Sequence, residues 1–301
     1  MENEKFRPAS FNWYPGHMAK TKRQILEDLK LIDVVVEILD ARIPISSQNP
    51  DVKDYMKNKG KVVVLNKSDL ADDTETQKWV RYFEKQGIKA IVTDSNSGKG
   101  INNFTKAVLD VSKECQEKFA NKGRVGKAIR IMIVGIPNVG KSSFINRITK
   151  KNIAQVGNKP GVTRQKQWIR LQEGMELMDT PGVLWPKLES EEVGLNLAFT
   201  GTIKDDVLPQ TEVAYELIKF LLQNYRTNLS ERYNISNEHI EQVLSQDQPE
   251  NFNIYEIMQE IGKKRGAIIS GGQIDDEKTA KIVLEDFRSG KLGKITIEKI
   301  K

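Results

Sequence analysis

Cysteine and histidine are scarce in this sequence of 301 residues, which contains only Cys115, His17 and His239 of these two types. A single thiol excludes an internal disulfide and a metal site built from several cysteines. Cys115 lies in a stretch with helical periodicity, where a lone thiol has an ordinary packing role. We therefore expect a protein of the reducing cytoplasm.

Long apolar runs are also missing. No stretch approaches the roughly 20 apolar residues that a membrane-spanning helix needs. The first six residues include acidic side chains and no apolar core, so we expect neither a signal nor a transit peptide there. Hydrophobic content of 38% with 29% charged residues is typical of a globular chain. We expect a soluble protein with no membrane partner.

Positive charge is concentrated in the first part of the chain. Residues 1–185 contain 32 basic and 21 acidic side chains, whereas residues 186–301 contain 15 and 20. Within residues 147–170 seven basic residues occur with no acidic one: Arg147, Lys150, Lys151, Lys159, Arg164, Lys166 and Arg170. Such a run is usually a solvated surface, but a basic run beside a nucleotide is a candidate for contact with RNA phosphates.

The nucleotide prediction comes from residues 135–142, which match the pattern G-x-x-x-x-G-K-S. The pattern follows an apolar run at residues 131–134 and precedes a helical pattern, which is the context of a phosphate-binding loop. Its glycines let backbone N–H groups close around phosphate oxygens. Lys141 is expected to reach the β- and γ-phosphates, where it is a catalytic group, and the Ser142 hydroxyl is expected to bind Mg²⁺. The predicted contacts to the nucleotide in this loop are Asn138, Val139, Gly140, Lys141, Ser142 and Ser143.

A second pattern, Asn66-Lys67-Ser68-Asp69, predicts recognition of guanine. The Asp69 carboxylate can accept hydrogen bonds from guanine N1–H and the exocyclic amine, which adenine does not offer at those positions. Asn66 is expected to bond the base and brace the loops, and the Lys67 stem to cover the ring. Asp94 and Ser95 fit the companion loop, in which a backbone N–H meets guanine O6.

Residues near the γ-phosphate complete the predicted site. Asp179 and Gly182 form a D-x-x-G pattern, in which Asp179 binds Mg²⁺ mainly through water and the Gly182 N–H contacts the γ-phosphate. Thr163 can add a hydroxyl ligand to Mg²⁺ when the triphosphate is bound. Together these are the motifs of a GTPase.

The predicted fold is α/β, with a Ras-like sheet followed by a helical domain. Apolar strands alternate with helical segments, which predicts about six mostly parallel strands in a GTPase domain at residues 1–185. Beyond it, residues 186–301 are predicted to form a helical domain, with one short strand at 294–297. The guanine pattern precedes the phosphate loop, whereas the usual order is the reverse. Circular permutation keeps the site intact because each motif follows the carboxyl end of a strand.

The permuted order and several short motifs resemble the circularly permuted GTPases of the YlqF/RbgA family. These motifs are Pro15-Gly-His-Met18, Asp40-Ala-Arg-Ile-Pro44, Gly135 to Ser142, Pro160-Gly-Val-Thr163 and Asp179-Thr-Pro-Gly182. The resemblance covers nearly the whole chain. It implies a cytoplasmic GTPase that acts in late assembly of the large (50S) ribosomal subunit and is stimulated by that particle. Its implied partners are ribosomal RNA and proteins, not DNA or membrane, and we expect a monomer in solution.

The group that positions the attacking water is not evident from the motifs. Val183 follows the D-x-x-G glycine and cannot hold water, so hydrolysis by the protein alone should be slow. The resemblance points to His17 as the replacement; the alternative is that His17 packs against Trp13 or donates to a carbonyl. Asn138 could help to hold K⁺, or it could simply brace its loop, and an arginine in cis, Arg42 or Arg164, is a further option.

Three other functions compete with the ribosomal one. The first is a non-ribosomal signalling or membrane-surface regulatory GTPase, although the sequence has no lipidation signal. The second is a P-loop kinase or ATPase, which the guanine pattern disfavours. The third is a binding protein with vestigial hydrolysis, which Val183 keeps open.

Overall fold

The computed structural model describes residues 27–50, 59–121, 123, 126–150, 168–178, 190–247 and 249–300. These residues form two compact units. The first, called here the nucleotide unit, comprises the described residues up to 178 together with residues 296–300, and the second, called the helical unit, comprises residues 190–295. None of the helices in the described part of the chain combines the length and apolar character that crossing a bilayer would require.

The nucleotide unit is built on one six-stranded sheet with the spatial order β3-β2-β1-β4-β6-β5. All neighbouring strands are parallel except the β5–β6 hairpin. The strands are β1 Val34–Asp40, β2 Gly60–Asn66, β3 Lys89–Val92, β4 Ile129–Val134, β5 Trp168–Arg170 and β6 Met175–Met178. The prediction of six mostly parallel strands is confirmed.

Helices of this unit cover a sheet whose central strand is wholly buried. All seven residues of β1 are buried, as expected for a parallel strand with both faces covered. Trp79 and Phe83 pack in one apolar cluster with Leu39 and Leu65 of the sheet. The longer helices among the described residues of this unit are α1 Asp73–Lys85, α2 Asn103–Ala120 and α3 Lys141–Thr149, and residues 27–29 are also helical.

The register of the strands brings the predicted motifs to one edge. Asp40, the last residue of β1, is opposite Asn66, the last residue of β2. Val134 ends β4 opposite Glu37 of β1, and the phosphate loop follows directly. Loops at the carboxyl ends of parallel strands are where open α/β sheets bind ligands.

Six α-helices form the described part of the helical unit, where the sequence predicted four. They are α4 Glu191–Phe199, α5 Gln210–Asn224, α6 Arg226–Tyr233, α7 Asn237–Leu244, α8 Glu250–Lys264 and α9 Asp276–Arg288. The helices α6 and α7 were not predicted because each has eight residues, too few for a clear periodic signal. The Arg288 guanidinium on α9 joins distant parts of this unit: it donates to the carbonyls of Ala198 and Phe199 and binds Asp205 through two nitrogens.

The end of the chain differs from the prediction in two respects. Residues 294–297 do not form a strand. Residues 296–300 belong to the nucleotide unit, although the sequence placed them in the helical domain. A segment this short makes its contacts through backbone groups and single side chains, so periodicity could not reveal its location.

Candidate nucleotide-binding site

The predicted phosphate loop connects β4 to α3. Gly140 is the N-cap of α3 with a φ of +91°, and Asn138 also has a positive φ of +64°. Lys141, Ser142 and Ser143 occupy the first turn of the helix and are partly exposed. Backbone N–H groups that point toward the ligand, together with the helix dipole, make the first turn of a helix favourable for phosphate.

Asn66 ties three loops together at the carboxyl edge of the sheet. Its side chain is buried, and its Nδ2 donates to the carbonyl of Val139 in the phosphate loop at 2.8 Å. Its Oδ1 accepts from the Thr93 hydroxyl at 3.1 Å, the Ser95 N–H at 3.1 Å and the Ser95 hydroxyl at 2.7 Å. This one side chain therefore fixes the guanine motif, the companion loop and the phosphate loop with respect to one another.

Gly140 leaves the space that the Asn66 side chain occupies. A Cβ atom at position 140 would lie 2.3 Å from Asn66 Nδ2, far inside van der Waals contact. Gly135 at the start of the loop is similarly confined, since its Cβ would lie 2.9 Å from the carbonyl oxygen of Ile38. Close packing therefore requires glycine at both positions of the motif, and at Gly140 the backbone conformation requires it as well.

A buried charge network lies behind the guanine motif. Asp40 accepts hydrogen bonds from Arg42 Nε at 2.9 Å and Nη2 at 2.8 Å, and Lys67 Nζ lies 3.0 Å from Asp40 Oδ2. Burial alone would raise the pKa of Asp40, but the charges of Arg42 and Lys67 outweigh it and hold that pKa far below its usual value. Arg42 is thus committed to Asp40 and not placed to act as an arginine in cis, one of the options left open by the sequence.

The two acidic residues near the predicted base site differ in their surroundings. Burial raises the pKa of Asp69, and the negative charge of Asp94 raises it further, although the Asp69 side chain is exposed. Burial alone would also raise the pKa of Asp94, but hydrogen bonds from Ser97 and Asn96 lower it. Asp94 Oδ1 accepts from the Asn96 N–H at 2.8 Å. The backbone N–H groups of Ser95 and Asn96 therefore both donate to side chains of the protein, those of Asn66 and Asp94.

Arg147 has a role that the sequence did not reveal. It lies on α3, and its Nε donates to the Ser95 carbonyl at 3.0 Å while Nη2 donates to the Asn96 carbonyl. The sequence counted Arg147 in the basic run facing RNA, whereas its guanidinium binds the companion loop. The contact joins residues 52 and 51 positions apart, so no local signal could have predicted it.

Several predicted site residues lie outside the described part of the chain. These are His17, Thr163, Asp179 and Gly182, together with Val183. Their roles stay predictions. Three residues of the basic run, Arg147, Lys150 and Arg170, belong to the described part of the chain, and the other four lie outside it. Lys150 has a left-handed backbone conformation at the end of α3.

The donors in the described part of the site suit Mg²⁺. No group of three or more His, Cys, Asp or Glu side chains that could hold a metal occurs among residues 27–50, 59–121, 123, 126–150, 168–178, 190–247 and 249–300. Mg²⁺ is usually bound by one or two hard oxygen ligands of the protein together with substrate phosphates. The Ser142 hydroxyl in the first turn of α3 is such an oxygen.

Comparisons with known proteins identify related GTPases. A family described as 50S ribosome-binding GTPase matches residues 130–256, and the RsgA GTPase family matches residues 54–189. Ribosome biogenesis GTPase A of Bacillus cereus is 48% identical over 286 residues, which cover 95% of this chain and 93% of the relative. GDP-bound YlqF covers 92% of this chain and 99% of its own at 26% identity and a TM-score of 0.64. GNP-bound YlqF from T. maritima covers 93% of this chain and 98% of its own, at 27% identity and a TM-score of 0.61.

Proposed function

Because this chain belongs to the ribosome biogenesis GTPase A family of circularly permuted GTP hydrolases, we propose that it acts as a GTP-controlled switch in late assembly of the large ribosomal subunit. The observation that carries the proposal is the Asn66 hydrogen-bond set. It joins the guanine motif to the phosphate loop in a chain of this family. The switch is proposed to work in the cytoplasm, as a monomer that binds ribosomal RNA and proteins.

The described residues support distinct roles in binding GTP and Mg²⁺. Lys141 would contact the β- and γ-phosphates and stabilise the charge that develops during transfer, while Ser142 would hold Mg²⁺. Asp69 would read the guanine edge. Outside the described residues, Thr163 and Asp179 would complete the Mg²⁺ environment and Gly182 would sense the γ-phosphate. Mg²⁺ would neutralise phosphate charge as the leaving group departs.

Contact with RNA is proposed for two basic regions. The first is the rest of the basic run, beginning at Lys150, since Arg147 is bound to the companion loop. The second is Lys263 and Lys264 at the exposed end of α8 in the helical unit. The neighbouring Arg265 is less suited to this role because its Nη2 donates to the carbonyl of Arg232 at 2.6 Å.

Co-sedimentation tests the choice of partner. Because phosphate contacts dominate affinity for nucleic acid, the protein with a non-hydrolysable GTP analogue should pellet with large ribosomal subunits and release from them as salt is raised. It should pellet less with small subunits, and not with liposomes of anionic lipid. Selective binding to the liposomes would contradict the proposal and favour a regulatory GTPase of the membrane surface.

His17 is proposed to position the attacking water when the particle is bound. A His17→Ala variant should then bind GTP normally but lose about a hundredfold in particle-stimulated turnover, within the range for a positioned acid–base group. His239→Ala is the matched control, because His239 lies in the helical unit and its Nε2 is 2.5 Å from Glu260. Full stimulated turnover by His17→Ala would show that another group holds the water.

Potassium is the second part of the catalytic proposal. Asn138 would help to hold K⁺ at a site where it neutralises developing charge, as an arginine does in other GTPases. Turnover should then be several-fold faster in potassium chloride than in sodium chloride of equal ionic strength. Equal rates would leave Asn138 with a loop-bracing role alone.

A further inference from the structure

We propose that residues 296–300, called here the C-terminal segment, position the guanine motif, and that Glu298 is the residue through which they do so. The inference rests on the proposed reading of guanine by Asp69 and extends it to a part of the chain that no motif marks. Glu298 does not touch the predicted base site. It acts on the loops that carry that site.

The C-terminal segment is bonded to the loop that follows β1. One carboxylate oxygen of Glu298 accepts from the Ile45 N–H at 2.6 Å, and the other accepts from the Ser46 N–H at 2.9 Å and from the Ser46 hydroxyl. The backbone N–H groups of Ile297 and Glu298 donate to the Arg42 carbonyl at 2.9 Å and 3.3 Å. A carboxylate that accepts several hydrogen bonds makes stronger contacts than a neutral group would.

The same segment is also bonded to the chain just after the guanine motif. Thr296 Oγ1 accepts from the Asp72 N–H at 3.0 Å, and the carbonyl of Glu298 accepts from Trp79 Nε1 at 2.8 Å. Asp72 is the N-cap of α1, and its side chain accepts from the Glu75 N–H. Ile300 packs against the apolar cluster that contains Trp79. The segment thus holds the loop after β1 and the chain that follows Lys67 and Asp69.

Arg42 provides the route from the C-terminal segment to the guanine motif. Its carbonyl receives the two backbone amides of the segment, while its guanidinium binds Asp40, which in turn binds Lys67. The side chains of Arg42 and Asp40 are 1% and 2% exposed. Because a buried charge without its partner is costly, we expect a shift of Arg42 to move Asp40 with it and so to disturb the pair of Asp40 with Lys67.

The position of the segment in the chain gives this contact a consequence for function. Residue 295 is the last residue of the helical unit, and the C-terminal segment begins at residue 296. We therefore expect that loss of the segment's contacts would loosen the guanine motif and speed release of the nucleotide.

The test compares Glu298→Gln with truncation after Ile295. In Glu298→Gln the amide nitrogen of the new side chain would face backbone N–H donors, and truncation removes all contacts of the segment. Each of the two changes should therefore weaken binding of fluorescent GDP about tenfold and raise the dissociation rate of GDP. Because the contact acts on the base motif, the preference for GDP over IDP, which lacks the 2-amino group, should fall as well. Glu298→Asp should restore part of the affinity. Glu84→Gln is the control, since the Glu84–Lys89 pair is exposed in the same unit.

The outcomes separate positioning from mere stabilisation. A Glu298→Gln protein with unchanged GDP affinity and selectivity would overturn the proposal, as would equal losses for GDP and IDP together with a lower melting temperature. If truncation prevents folding, Glu298→Gln and Glu298→Asp still decide the question. Absence of any GDP preference in the unaltered protein would instead count against the guanine role of Asp69.

Discussion

A Gly140→Ala variant is expected to lose at least about a hundredfold in affinity for GDP and GTP. The new Cβ would lie 2.3 Å from Asn66 Nδ2, which donates to Val139 and cannot move without leaving buried polar groups unpaired. Each such group costs about 1–3 kcal/mol, and the left-handed conformation adds about 1–2 kcal/mol for alanine. Each 1.4 kcal/mol by which the nucleotide-bound protein is destabilised relative to the free protein lowers the affinity about tenfold. Titration with a fluorescent guanine nucleotide measures it.

Gly87→Ala is the matched control for backbone strain. Gly87 also has a positive φ, +73°, but nothing lies within 4 Å of a Cβ atom at that position. This variant should lose about 1–2 kcal/mol of folding free energy, and its GDP affinity should stay unchanged. If both variants bound GDP equally well, the close approach of Asn66 to Gly140 would have no role in shaping the phosphate loop.

An Asp69→Asn variant is expected to prefer xanthine nucleotides, whereas the unaltered protein is expected to prefer guanine nucleotides. The carboxylate accepts from N1–H and the 2-amino group of guanine, whereas the asparagine amide can donate to the 2-carbonyl of xanthine. Sites built to hydrogen-bond a substrate reject a mismatched analogue strongly, so GDP affinity should fall by about a hundredfold or more. Competition of GDP and XDP for the same fluorescent nucleotide measures the exchange.

Asp73→Asn serves as the control, because Asp73 is an exposed acidic residue in the first turn of α1, a short distance along the chain from Asp69. It should keep the preference for GDP. An Asp69→Asn protein that still preferred GDP over XDP would contradict the assignment of Asp69 to the guanine edge.

Acid should weaken guanine binding by the unaltered protein for the same reason. The Asp69 carboxylate can accept two hydrogen bonds only when it is ionised, and burial, aided by the charge of Asp94, raises its pKa. As pH falls through that raised pKa, the protonated form gains population and the acceptor is lost. The onset should therefore lie above the pH at which an ordinary aspartate takes up its proton, and titration of GDP affinity against pH measures it.

Local patterns predicted the parts of the site whose residues are close in sequence. The glycine loop could be predicted because β4, residues 135–140 and α3 are consecutive, so their spacing alone specifies the geometry. That Asp40 and Asn66 each end a strand follows from two apolar runs that each end in a polar residue. The number of strands and their mostly parallel arrangement were therefore within reach of the sequence.

Contacts between distant residues were not predictable. From the sequence, Arg147 was interpreted as one of several charges in a basic run. Its partners Ser95 and Asn96 are 52 and 51 residues away, so no local pattern indicated them. Glu298 lies 253 and 252 residues from Ile45 and Ser46, in a segment with no periodic pattern. The contacts of such residues depend on the tertiary structure. In the sequence these residues cannot be distinguished from charged residues that are exposed to solvent.

GTP turnover of the purified protein, alone and with large or small ribosomal subunits, tests the proposed function most directly. Slow turnover by the protein alone and strong stimulation by large subunits only is the expected result, since Val183 cannot position water and an external trigger must complete the site. Tight GTP binding without stimulation by large subunits, or equal stimulation by small subunits, would contradict a switch in assembly of the large subunit.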